Sequence, residues 1–189
     1  MTMTAEERNR SAAGSVGASG SAAGPSPGGS APSGGSEPRA AGSVGAHERA
    51  RRVGETMFAN DVASRDTMGM ELLVCEPGRA LMRMTVTPRH LNGHRICHGG
   101  FIFTLADSTF AFACNSHNRN AVAAGCSIEF LRPAHEGDVL TCEGVERVLS
   151  GRHGIYDMSV TNQRGEAVAL FRGKSAQIPG TVFPDETTP

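Results

Sequence analysis

The sequence predicts an α+β domain in which an antiparallel sheet wraps around one long buried helix. Three observations carry this. The stretch Phe101 to Cys114 is rich in Ala, Leu and Phe, too long for a typical strand and apolar almost all round, as a helix covered on most sides must be. Two strand-like runs precede it and four follow, each separated from the next by short turn signals, and such connections imply antiparallel neighbours. Within one run, Tyr156, Met158 and Val160 alternate with Asp157, Ser159 and Thr161, the period of a strand with one buried face.

Taken in order, the chain of 189 residues does not all enter that domain. From Ser11 to Ala46 it is almost wholly Gly, Ser, Ala and Pro, with Glu37 and Arg39 as its only charges. Such a segment has too little apolar surface to offset the entropy of ordering, so residues 1–46 are expected to form a disordered tail. The folded domain is expected over 47–180, followed by a short C-terminal tail, 181–189. Ala46, Ala50, Val53, Met57 and Phe58 recur at helical spacing among Glu48, Arg49, Arg51 and Arg52, predicting an amphipathic helix that ends between Asn60 and Ser64. Strands are predicted at Met70 to Cys75 and Arg79 to Val86, joined by Glu76-Pro77-Gly78. A loop from His90 to His98 then leads through Gly99-Gly100 into the long helix. Four further strands are predicted: Ala121 to Leu131, Val139 to Val148, Gly154 to Thr161 and Glu166 to Gln177. Arg132-Pro133, Gly137-Asp138, Ser150-Gly151 and Arg164-Gly165 punctuate them. A sheet curled around one helix with this element order is the hotdog arrangement.

Composition excludes several classes of function. A formal net charge of −1 supplies no basic field for nucleic acid or anionic lipid. No run of about 20 apolar residues is present to span a membrane, and Met1 to Glu7 lacks the apolar region of a signal peptide. Five cysteines, an odd number without a Cys-x-x-Cys pair, fit reduced thiols rather than a disulfide framework. A cytoplasmic protein is expected.

Asp107 is the strongest chemical signal. It is the only formally charged residue between Arg95 and Arg119, counting histidines as neutral, and its helical neighbours are Phe103, Phe110, Ala111 and Cys114. An ionised carboxylate there is costly unless paired. A perturbed acid in an apolar setting serves acid–base or nucleophilic chemistry, although a helix acid facing water or a partner helix fits the same pattern. His98-Gly99-Gly100 opens the helix. Free N–H groups at a helix start favour an anion or a developing oxyanion, and the glycines let a carbonyl approach closely; a plain helix-initiating loop is the bland alternative. Asp107 follows two turns later, about 12 Å along the axis. That is too far for both to act on one carbonyl within one chain, and a site shared across a dimer resolves it. Asn92-Gly93 reads as a turn, with a side-chain amide able to donate to a carbonyl or hold a water. His90, His94 and His98 have ligand spacing only on a helix, which the intervening glycine opposes, so no metal is expected. Cys97 beside His98 reads as a buried thiol rather than a nucleophile. Arg132, Arg172 and Lys174 read as solvated cations near strand ends.

These residues carry a family resemblance. Leu91 to Ser116, with Asn92-Gly93, His98-Gly99-Gly100 and Asp107 at their spacing, closely resembles the PaaI-type thioesterases of phenylacetate degradation. So do Ile128-Glu-Phe-Leu-Arg-Pro133, Gly154-Ile-Tyr-Asp157 and Val168-Ala-Leu-Phe-Arg-Gly-Lys-Ser175. The resemblance implies a hotdog fold and a homodimer with its long helices side by side, usually paired into a homotetramer. It also implies hydrolysis of phenylacetyl- or hydroxyphenylacetyl-type CoA thioesters without cofactor or metal. By the same resemblance Asp107 is the catalytic carboxylate, acting on a thioester held by the other subunit. The Gly99 N–H is the oxyanion donor, Asn92 orients the carbonyl or water, and His98 shapes the loop. Some relatives carry a hydroxyl residue on the strand after the helix; Ala123 or Ala124 stands there, so no such role is assigned. Two other functions compete: a hotdog hydratase or dehydratase using His98 with Asp107, and an acyl-CoA binding module without turnover, against which the isolated Asp107 speaks.

Overall fold

The structure, a computed structural model, describes residues 41–184. Most of the predicted N-terminal tail lies outside the described residues; its last part, 41–46, opens the first helix.

Helix α1 (Ala41–Asn60) buries Ala50 and Val53 and rests Met57 and Phe58 against the core. Its outer side carries Arg51, bridged to Glu48 and Glu55 one turn away on either side. The chain then makes a π-helical turn over Ala63–Thr67. Strands β1 (Met70–Glu76) and β2 (Arg79–Thr85) follow, with Glu76 opposite Arg79. Pro77-Gly78 is therefore a two-residue hairpin loop, and Gly78 takes the φ of 69° that such a loop demands. Helix α2 (Gly99–Asn115) comes next, then β3 (Ala121–Phe130), β4 (Val139–Ser150), β5 (His153–Thr161) and β6 (Ala167–Gln177).

The strands form a single six-stranded sheet in the order β1-β2-β4-β5-β6-β3, antiparallel throughout. It is the predicted α+β hotdog architecture. Alternate residues of the central strands point inward onto α2: Ala80, Met82 and Met84 of β2, Leu140 and Cys142 of β4, Tyr156, Met158 and Val160 of β5, and Phe171 of β6. From the helix, Leu105, Ala106, Phe110 and Ala113 meet them, all buried. Phe110 is the centre of this contact, with its ring 5.5 Å from Tyr156 and 6.0 Å from Phe171. Gly173 faces it, and a Cβ there would lie 2.9 Å from the ring, so only glycine lets the helix lie this close to β6. The helix end is pinned too, since Ser116 Oγ accepts from the Gly78 N–H at 2.8 Å.

Two features set up the site. β3 is an edge strand paired only with β6, and it is exposed along nearly its whole length. On α2 the face carrying Phe103, Thr104, Asp107, Ser108 and Ala111 is only half-buried, so the single chain covers the helix on one side rather than on most sides.

Candidate active site

The loop before α2 is built from its own side chains. Pro88–His90 forms one 3-10 turn, in which the Thr87 N–H donates to His90 Nδ1 at 3.2 Å. His90 is buried against the Phe101 ring at 4.8 Å, and burial holds its imidazole below the usual range. The chain doubles back as a narrow ribbon: His98 N–H donates to His90 O (2.8 Å), and Asn92 N–H to Ile96 O (2.9 Å). Asn92 forms its tip, with Oδ1 accepting from the N–H groups of His94 (2.9 Å) and Ile96 (3.4 Å). Its turn-forming role is thus direct. That oxygen is committed, and the Nδ2 amide has no partner among the described residues.

At the ribbon's end His98 is the N-cap of α2, its Nδ1 accepting from the Gly100 N–H at 2.9 Å. The bond satisfies one of the free donors of the helix start. A Cβ on Gly100 would lie 3.1 Å from that same nitrogen, so the second glycine makes room for the cap. The Phe101 N–H donates to His98 O at 2.9 Å. The Gly99 N–H is left with no hydrogen-bond partner among the described residues, and its dipole-favoured position suits an anionic oxygen. The Phe130 ring covers Gly99, with Cζ 3.1 Å from where a Cβ would stand.

Asp107 follows two turns along α2, about 12 Å by the helical rise. Its carboxylate has no ion pair and no hydrogen bond among the described residues, and burial pushes its pKa up. One chain therefore brings Asn92, His98 and Gly99 together in one ribbon-and-cap unit and holds Asp107 apart from them.

Other residues singled out in the sequence have local partners. His90 and His98 each commit Nδ1 to a backbone N–H, and among the described residues no three His, Cys, Asp or Glu side chains form a metal-binding group. All five cysteines are free thiols. Burial pushes Cys97 up to about 11 and Cys114 up to about 12, away from nucleophilic thiolate. Arg172 is not a free cation: its fork grips Asp157 at 2.6 and 2.8 Å, and Arg147 joins the same carboxylate at 2.9 Å. Arg132 donates to Ala167 O at 2.8 Å.

One neighbour of Asp107 escapes sequence reasoning. Ser108 Oγ lies 2.8 Å from the buried Ser64 Oγ, which donates to Asp61 Oδ2 at 2.7 Å, while Asp61 Oδ1 accepts from the Ser64 N–H at 2.9 Å. This chain of bonds ties the turn after α1 to the residue beside the acid. Asp61 three residues before Ser64 is a capping pattern, legible in sequence, but its reach to Ser108 is not.

The chain is similar to known proteins in sequence and in fold. The sequence model of the Thioesterase superfamily matches residues 94–169. The acyl-coenzyme A thioesterase PaaI of Escherichia coli K12 is 46% identical over 126 residues, which is 67% of this chain and 89% of that one. The solved structure of E. coli PaaI, from the phenylacetic acid degradation operon, superposes with a TM-score of 0.70 at 44% identity, covering 71% of this chain and 97% of that one. A Streptococcus mutans UA159 protein bound to acetyl CoA superposes with a TM-score of 0.58 at 27% identity, covering 59% of this chain and 90% of that one.

Proposed function

The chain belongs to the thioesterase superfamily as a PaaI-type acyl-CoA thioesterase, and from that premise we propose that it hydrolyses aryl-acetyl CoA thioesters to the free acid and coenzyme A, in phenylacetate catabolism. One observation carries the mechanism. A half-buried carboxylate and an unpaired helix-start N–H, each without a partner among the described residues, stand about 12 Å apart on one helix.

The two come together in a homodimer. The exposed edge of β3 presents unpaired backbone groups beside exposed Val122 and Phe130, a surface that pairs with a second copy. The half-open face of α2 is then covered by its symmetry mate. One subunit holds the thioester carbonyl at Gly99 N–H, and the other presents Asp107. As the carbonyl carbon becomes tetrahedral, charge develops on its oxygen and the N–H stabilises it. The Asn92 amide donates to the same carbonyl or to the water, and His98 keeps the donor aimed by capping the helix. Asp107 either attacks, giving an anhydride that water opens, or removes a proton from the attacking water. In both routes the C–S bond breaks, one water is consumed, and the thiolate of coenzyme A leaves and takes up a proton.

A panel of aryl-acetyl, straight-chain and 3-hydroxyacyl CoA thioesters, with released thiol and dehydration both followed, tests the reading. Aryl-acetyl thioesters are expected to show the highest kcat/KM, and Asp107→Asn to lower kcat by at least about 100-fold. Preference for straight-chain substrates, dehydration of the 3-hydroxyacyl thioester, or near wild-type turnover by Asp107→Asn would overturn it.

A further inference from the structure

The mouth of α2 is covered on one side by its own chain. The Phe130 ring, at the end of β3, reaches Gly99 tip first: from the place a Gly99 Cβ would occupy, Cζ is 3.1 Å away, Cε1 3.4 Å and Cε2 3.6 Å. On a helix the Cα–Cβ direction tilts toward the N-terminus, where the free N–H groups of the first turn also point. The ring therefore stands beside the Gly99 N–H. We propose that Phe130 is a positioning residue of the thioester site: its ring keeps water off the Gly99 N–H, so that the thioester oxygen is the acceptor this donor meets. The proposal rests on the oxyanion role given to Gly99 above.

The two glycines of the helix start make room for different rings. A Cβ on Gly100 would meet His98 Nδ1, and one on Gly99 would meet Phe130. His98 takes up the Gly100 N–H, while Phe130 sets only carbon against the residue whose N–H is left free. Carbon accepts no hydrogen bond of this strength, so the ring shields the donor without consuming it.

The ring is also held in place. Phe130 lies opposite Ala169 of β6. The next two N–H groups, of Leu131 and Arg132, both donate to Val168 O, at 2.8 and 3.3 Å. Just beyond, the carbonyl of buried Ala134 accepts from the N–H of buried Cys97 at 2.8 Å. Cys97 stands two residues before Gly99, so the ribbon that carries the donor and the strand end that carries the ring are bonded to each other.

The rest of the ring is exposed in the single chain and stands at the β3 edge that pairs with a second copy in the proposed dimer. There it lies on the seam where Gly99 of one copy meets Asp107 of the other. A hydrogen bond to a developing charge strengthens as water and its high dielectric are excluded. Cover at this point acts on the transition state more than on substrate binding.

Variants of the full chain at Phe130 test the role, with kcat and KM for phenylacetyl-CoA, thermal unfolding and sedimentation measured on each. Removing an oxyanion donor outright costs about 100- to 1,000-fold in kcat, and wetting one should cost part of that. Phe130→Ala is expected to lower kcat about tenfold and to leave KM within about twofold. Phe130→Leu, still carbon, should keep kcat within about threefold of wild type, whereas Phe130→Gln, of similar length but polar, should fall with Phe130→Ala. A folded, dimeric Phe130→Ala with kcat near wild type overturns the proposal, and so does a change confined to KM. Where Phe130→Ala does not fold or pair, the other two variants decide, and equal kcat in Phe130→Leu and Phe130→Gln overturns it. Asp107→Asn assayed in parallel separates the two readings. If it is inactive while Phe130→Ala turns over normally, only the role of the ring is wrong; if it turns over normally, the shared site fails and the role of Phe130 with it.

Discussion

Asp107 and His98 show how much a single side chain decides. Burial raises the Asp107 pKa above that of the unfolded chain. A group shifted this way adds stability below its unfolded pKa and loses that contribution as pH rises through its folded pKa. At neutral pH the ionised carboxylate therefore weakens the fold. Asp107→Asn is expected to melt higher than wild type at pH 7 to 8, with the gap closing as pH falls toward about 4; an equal or lower melting temperature at neutral pH would show that the charge is compensated. The proposed reaction needs the ionised form, so the acid limb of kcat/KM should lie above the ordinary aspartate range. For His98 the expected signature differs. His98→Ala removes the cap on the Gly100 N–H and should cost about 1 kcal/mol of stability. It should also lower kcat more than it alters KM, because the oxyanion-donor role proposed for Gly99 matters most in the transition state. His98→Asn, which can cap, should recover most of the stability and part of kcat, and equal losses in both variants would point away from capping.

Among the elements, α2 and the strand facing it depend on a matched pair of volumes. Phe110 fills the space that Gly173 leaves open. Phe110→Ala is expected to cost about 3–5 kcal/mol through the cavity it leaves, and Gly173→Ala about 1–3 kcal/mol through overpacking. Denaturant unfolding measures both, and a cost below about 0.5 kcal/mol for Gly173→Ala would show that the helix can move away. Most element boundaries were legible because turn residues mark them. The misses have local causes. α1 begins at Ala41 rather than near Ala46, an extension the sequence does not signal because Gly42 and Gly45 disfavour a helix. β4 runs on to Ser150 and pairs it with His153, so the turn is Gly151-Arg152 rather than Ser150-Gly151. A bulge between Glu146 and Val148 disturbs the alternation that would have shown this.

For the whole molecule, activity should follow assembly. The proposed site, built from Gly99 of one copy and Asp107 of another, disappears in the monomer. Specific activity is therefore expected to fall on dilution in step with the dimer fraction measured by sedimentation, and full activity in a demonstrated monomer would rule out the shared site. The proposed pairing uses the exposed edge of β3, where Phe130 is 52% and Val122 47% exposed in the single chain.

Much of this protein can be read from the chain alone. Periodicity distinguishes the buried helix from the strands around it, and turn residues set the strand count. An acid isolated among apolar neighbours marks Asp107, and His98-Gly99-Gly100 marks the helix mouth, because these patterns are local and repeat with the geometry of the backbone. Tertiary structure decided what depends on residues far apart in sequence. It decided that Arg172 belongs to Asp157, that Ser64 reaches Ser108 beside the acid, and that Phe183 is held by Asn118 and lies under Arg52 of α1. It also decided that the helix keeps one half-open face. Those contacts are set by strand register and by packing between distant elements, which no local pattern encodes.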